Sequence, residues 1–193
     1  MREAGALFEK TVNGKIRLSL IDPKYSNALY AVIDSNRTHL KPWLGWVDRT
    51  NSVEDLNEFV KSARRRWSER GDVVAVILYD DAPVGVIGLE DIDMTHFSAE
   101  LGYWLGKEFE GLGLVTQSIH TMLDYAFEEV GLNRVQIRVS PDNARSKAVA
   151  GRLDFVYEGT LRQVTRMYDC FESLEFHSIL REEWAERQPE AQV

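Results

Sequence analysis

Ala99-Glu100-Leu101-Gly102-Tyr103-Trp104-Leu105-Gly106-Lys107-Glu108-Phe109-Glu110-Gly111-Leu112-Gly113-Leu114-Val115-Thr116-Gln117-Ser118 is the stretch whose reading decides the fold. Its start alternates as a strand from Ala99 to Leu105: Leu101, Tyr103 and Leu105 share one face, and Glu100, Gly102 and Trp104 the other. Gly106 to Gly113 is a glycine-punctuated loop. From Val115 the apolar residues Val115, Ile119, Met122, Leu123, Ala126, Phe127 and Val130 trace one stripe of a helix, which Gly131 closes. A strand therefore meets a helix through Gly111-Leu112-Gly113. The first N–H groups of a helix have no intrahelical partner and carry partial positive charge. Glycines just before them let an anion approach the backbone, so the join can hold a phosphate without a basic side chain. The alternative is a glycine turn that only lets a strand meet a helix. No Walker A loop is present, because the glycine before Gly106-Lys107 is one residue too close and Glu108 follows. A dinucleotide fingerprint fails as well: Thr116 stands at its third glycine, and the loop follows a meander.

On the N-terminal side, Ala6 to Ile21 reads as a hairpin around Asn13-Gly14. Asp22-Pro23 starts a helix with apolar residues Tyr25, Ala28, Leu29, Val32 and Ile33. The aromatic, Pro- and Gly-broken run His39 to Trp46 is a loop or a short helix. Ser52 to Arg70 is a helix opened by a Ser52/Asp55 capping pattern. Val73–Tyr79 and Gly85–Ile92 are strands around the turn Asp80 to Pro83. On the C-terminal side follow a strand Arg134–Val139, a short helix Asn143–Leu153, and strands Phe155–Arg162 and Phe171–Leu180. The order β-β-α-α-β-β-β-α-β-α-β-β is α/β (α+β) with an antiparallel meander in the middle, not a doubly wound parallel sheet.

The 193 residues suit a single domain, 1–185, with 186–193 as a frayed tail. Lys plus Arg is 23 and Asp plus Glu 31, a net charge of −8. That argues against a dedicated nucleic-acid binder and suits a basic acceptor such as an amine. Cys170 is the only cysteine, and His39, His96, His120 and His177 are far apart, so a disulfide framework and a Cys-based zinc site are excluded and no metal is expected. No signal peptide or membrane span is legible, and a cytoplasmic location is expected.

The quoted stretch resembles the acyl-CoA-binding motif of the GNAT superfamily of N-acetyltransferases, most of all the ribosomal-protein (RimJ/RimL-like) type. Leu132-Asn133-Arg134-Val135, Asn143-Ala144-Arg145-Ser146-Lys147-Ala148-Val149, Glu158-Gly159-Thr160-Leu161-Arg162 and Tyr168-Asp169 carry the same likeness, which covers nearly the whole chain. The resemblance implies a splayed central strand pair whose free edge, Tyr103, Trp104 and Leu105, pairs with the pantetheine arm of acetyl-CoA. It implies a pyrophosphate held on the backbone of Glu110, Gly111, Leu112, Gly113, Leu114, Val115 and Thr116. Asn143 resembles the residue that bonds the pantetheine arm, and Ser146 the proton donor to the leaving thiolate. Each also reads as an ordinary helix-start residue.

The implied reaction is direct attack of an amine on acetyl-CoA, with an N–H near Trp104 or Leu105 on the developing oxyanion. The resemblance points to a protein N-terminal α-amine such as that of a ribosomal protein. A polyamine or small amine, or a non-catalytic acyl-CoA-binding protein, is the alternative, and a homodimer is left open. Three departures from the family pattern stand out. Glu110 occupies the usual Gln/Arg position and Val115 the last small-residue position of the loop. Asp154 replaces a glycine, and Thr165 stands where some members have a glutamate base. Glu100 is the substitute base candidate, with an ion pair to Arg134 or Arg138 as its alternative. Trp43, Trp46 and Glu90 are the candidate acceptor-binding residues; aromatic rings can hold a cationic amine.

Overall fold

The computed structural model describes residues 8–187. Eight strands form one mixed, open sheet in the order β1-β2-β3-β4-β5-β6-β8-β7, mostly antiparallel with one parallel pair and flanked by helices. Two compact units are distinguishable: the chain up to Gly88 with Tyr103–Ser118, and Leu89–Gly102 with the chain from Ile119 onward.

The first unit opens with β1 (Glu9–Thr11) and β2 (Ile16–Leu20), paired antiparallel around the expected Asn13-Gly14 turn. Asn13 Oδ1 accepts from the N–H groups of Lys15 and Ile16 at 2.8 and 2.9 Å, which closes that turn locally. The helix expected at Pro23 begins as a 3₁₀ turn, Pro23–Tyr25, capped by Asp22; α1 (Ser26–Ser35) follows. The aromatic segment contains a short α2 (Arg37–Leu40) and a 3₁₀ turn Val47–Arg49. α3 (Val53–Arg70) has the reciprocal Ser52/Asp55 capping box and ends on Gly71 at φ 82°. β3 (Val73–Tyr79) pairs antiparallel with β2, Ile16 opposite Tyr79. Asp80 and Asp81 at φ 46° and 63° make a two-residue turn. Successive left-handed residues match the twist of a hairpin. β4 (Ala82–Asp93) therefore starts earlier than expected and absorbs Pro83.

The core of this unit is apolar and continuous. Leu29 and Ile33 of α1, Leu56 and Val60 of α3, and Val74, Val76 and Leu78 of β3 are buried together, with Trp46 and Trp104 packed against them. Gly85 in β4 is required for packing rather than for a turn. A Cβ there would collide with the carbonyl oxygen of Trp104 in β5 (Ser98–Leu105) and press on Leu105. Backbone cannot rotate away as a side chain can. Gly85→Ala should cost about 2–3 kcal/mol, the upper part of the range for overpacked cores. A melting temperature lower by roughly 5–10 °C would register it; an unchanged melting temperature would disprove the close approach.

α4 (Leu114–Asp124) carries the predicted stripe, but the last six expected helical residues, Tyr125–Val130, form a π-helical turn. Its wider winding accompanies three consecutive buried residues, Tyr125, Ala126 and Phe127, which a 3.6-residue stripe does not accommodate. Gly131 at φ 81° closes it as expected.

In the second unit, β6 (Arg134–Val139) pairs parallel with β5 and antiparallel with β8 (Cys170–Leu180), which pairs with β7 (Val156–Met167). The β5–β6 register runs from Ser98↔Arg134 to Glu100↔Gln136. β5 itself continues to Leu105. α5 (Ala144–Arg152) and α6 (Arg181–Ala185) complete the unit. Asp154 is left-handed at φ 53°, a conformation that Asp adopts more readily than most residues other than glycine. The tail expected to fray from Glu186 is held at its first residues: Arg187 donates to the Leu153 carbonyl. The rest of it, 188–193, lies outside the described residues. Among the described residues no helix is long and apolar enough to cross a membrane.

Candidate active site

The loop at the head of α4 is built by geometry the sequence encodes locally. Gly111 and Gly113 sit at φ 75° and 74°, where a Cβ is strained. All of Gly111 to Gly113 is exposed, and Leu114 is buried. The first intrahelical bond runs from Gln117 N–H to the Gly113 carbonyl at 3.0 Å. The N–H groups of Leu114, Val115 and Thr116 therefore precede the hydrogen-bonded ladder and point out of the helix end. Glu110 differs from the expected donor set: its N–H donates to the Lys107 carbonyl at 3.2 Å in a 3₁₀ turn. The expected donors, without that of Glu110, are the N–H groups from Gly111 to Thr116.

Backbone alternation sorts the β5 edge. Gly106 N–H donates to the Val84 carbonyl of β4 at 2.9 Å. Along a strand, backbone groups face alternate edges. Trp104, whose carbonyl abuts Gly85, thus turns its backbone toward β4. Tyr103 and Leu105 turn theirs to the opposite edge. Of the two N–H groups considered for an oxyanion, Leu105 is the one on that edge. The Trp104 ring lies 5.9 Å from that of Trp46, and both pack against the core, while Trp43 is exposed.

In the second unit, Asn143 caps α5: its Oδ1 accepts the Ser146 N–H at 3.1 Å. That bond leaves the other end of the amide available for a different duty. Asn143, Ser146 and Lys147 are all half-buried at the start of the helix. Glu100 Oε1 lies 2.5 Å from Arg138 Nη2, the ion pair weighed from sequence. Arg134 instead grips Glu158, whose carboxyl is held down at about 2, mainly by that hydrogen bond, and Ser178 adds a second donor. A carboxyl so stabilised in its charged form is a poor proton acceptor near neutrality. Glu90 is half-buried in β4, and Thr165 faces Glu172 across the β7–β8 pair.

Several polar links have no signal in the sequence. Asn36, buried between α1 and α2, accepts the Lys107 N–H at 2.8 Å and donates to Glu108 at 3.2 Å. His39 Nε2 stands 3.1 Å from Glu110 Oε1. Asn13 donates to Gln117 in the first turns of α4 at 2.7 Å. Lys147, Glu175 and His177 form a further cluster, beside the ring of Tyr157.

Comparison with known proteins places this arrangement in context. The family model described as an acetyltransferase (GNAT) domain matches residues 15–156. YdaF of Bacillus subtilis (strain 168) is 34% identical over 179 residues, 92% of this chain and 98% of that protein. The ribosomal-protein-serine acetyltransferase of Escherichia coli (strain K12) is 26% identical over 167 residues, 86% of this chain and 93% of its own. The microcin C7 self-immunity acetyltransferase MccE, solved with acetyl-CoA and AMP, superposes with a TM-score of 0.83 at 27% identity, over 88% of this chain and 94% of that one.

Proposed function

This chain belongs to the GNAT acetyltransferase family, and we propose that it transfers acetyl from acetyl-CoA to a protein N-terminal α-amine of the ribosomal-protein type, as one acetyltransferase domain over residues 1–185. Similarity to the ribosomal-protein-serine acetyltransferase along 86% of this chain supports the acceptor class. The net charge of −8 suits a cationic acceptor.

Acetyl-CoA supplies the acetyl group as a thioester. The exposed glycines at positive φ and the N–H groups of Leu114, Val115 and Thr116 suit a pyrophosphate, because the glycines let an anion approach the backbone closely. The Thr116 hydroxyl adds a donor. Tyr103 and Leu105 offer backbone groups to the pantetheine arm, and the Leu105 N–H donates to the thioester oxygen as charge develops there. The Asn143 amide nitrogen donates to the arm while its oxygen keeps the cap. Ser146 protonates the departing sulfur. Trp43, Trp46 and Glu90 serve the acceptor amine.

Glu100 is the proposed general base, with Arg138 fixing its orientation. Glu100→Gln should lower kcat by about 10²-fold near neutral pH. The deficit should shrink at high pH, where the acceptor amine loses its proton unaided. A pH–rate profile checks this; a wild-type kcat would reduce Glu100 to the partner of Arg138.

The acceptor class is tested by CoA release with N-terminal peptides, polyamines and amino-sugars as acceptors. Turnover with the peptides is expected. Polyamine turnover alone would transfer the assignment to a small amine, and no turnover with any amine would leave an acyl-CoA-binding protein.

A further inference from the structure

Glu110 poses a physical problem for the loop it precedes. Its carboxylate lies one residue before the donor turn Gly111–Thr116. A carboxylate beside open N–H groups competes with any incoming phosphate for the same donors, and its charge repels a diphosphate. The structure shows what restrains it. His39 Nε2 lies 3.1 Å from Glu110 Oε1, with side-chain exposures of 16% and 28%. Two residues at the α1–α2 junction thereby hold the segment that leads into the loop, since Asn36 also binds Lys107 and Glu108.

We propose that His39 is a positioning residue for acetyl-CoA binding: its ring N–H holds the Glu110 carboxylate toward α2 and so keeps the donor turn open to the pyrophosphate. A neutral imidazole with its proton on Nε2 is sufficient, since the bond requires a donor and not a charge. The inference rests on the reading of Gly111–Thr116 as the phosphate loop.

The test is calorimetry of acetyl-CoA binding to the full chain without acceptor. His39→Ala should weaken binding about tenfold, since a released carboxylate near phosphate in partly screened surroundings acts on that scale. The loss should shrink in high salt. His39→Gln keeps an N–H donor and should bind nearly as wild type. Glu110→Gln in the His39→Ala background should restore affinity, which a merely structural role for His39 would not allow. Glu110→Gln alone should bind at least as well as wild type, and this variant carries the test if His39→Ala does not fold. Wild-type affinity of a folded His39→Ala, no rescue by Glu110→Gln, or weakened binding by Glu110→Gln alone would each overturn the inference. Gly113→Val in the same titration separates the two levels. If it binds as wild type, the loop reading falls and takes this inference with it; if it binds weakly while the His39 series is flat, only this inference falls.

Discussion

Ser146→Ala should lower kcat and kcat/KM together by roughly 10²–10⁴-fold while acetyl-CoA affinity stays nearly unchanged. The reasoning turns on when the hydroxyl matters. A thioester sulfur is a poor acceptor, whereas a developing thiolate is a good one, so the bond strengthens mainly in the transition state. Stability should not confuse the measurement. The Ser146 backbone N–H, not its hydroxyl, receives the cap from Asn143, and Ala favours helix slightly more than Ser. Steady-state kinetics with direct acetyl-CoA titration decides the matter. Poor binding with normal turnover at saturation would make Ser146 a cofactor contact. Unchanged values of both would leave it an ordinary first-turn serine.

The second large effect is expected at Gly113. Gly113→Val places a β-branched residue at φ 74°, where its Cβ also meets the Gln117 amide at 3.3 Å. Relief of that strain rotates the backbone that presents the N–H groups of Leu114 to Thr116. Two charge-assisted hydrogen bonds at about 1.5 kcal/mol each amount to about 3 kcal/mol. Acetyl-CoA affinity should therefore fall by about 10²-fold or more. The loop is exposed, so the fold should survive with a loss of only about 1–2 kcal/mol. Calorimetry paired with thermal melting checks both halves, and wild-type affinity in a folded variant would remove the phosphate from this loop.

Much of this protein is local chemistry and was legible as such. The stripe from Val115 to Phe127, the glycines before it, the Ser52/Asp55 box and the Asn143 cap each depend on residues within a turn or two of one another. Spacing alone specifies them. The left-handed Asp154 follows from the same kind of reasoning, since a short polar side chain substitutes for glycine at small cost. Boundaries were less legible. The Asp80-Asp81 turn lengthened β4, and the run of buried residues at Tyr125 to Phe127 accompanied a π turn, because hairpin twist and burial outweigh intrinsic preference at element ends.

By itself, then, the sequence determined the order of most elements and the glycine turn before α4 through short-range steric and hydrogen-bonding rules, and its resemblance to the family nominated Asn143 and Ser146; the helix Arg181–Ala185 was not legible. Only the tertiary structure decided how these are held. Asn36 reaches Lys107 and Glu108 across 71 and 72 residues, His39 meets Glu110, and Gly85 lies against the Trp104 carbonyl. Strand pairing turned Leu105 rather than Trp104 to the edge away from β4, and it gave Glu100 to Arg138 and Glu158 to Arg134. Such partners are chosen by which faces and edges the packed strands bring together, and no spacing along the chain encodes a contact whose two halves are set by separate elements.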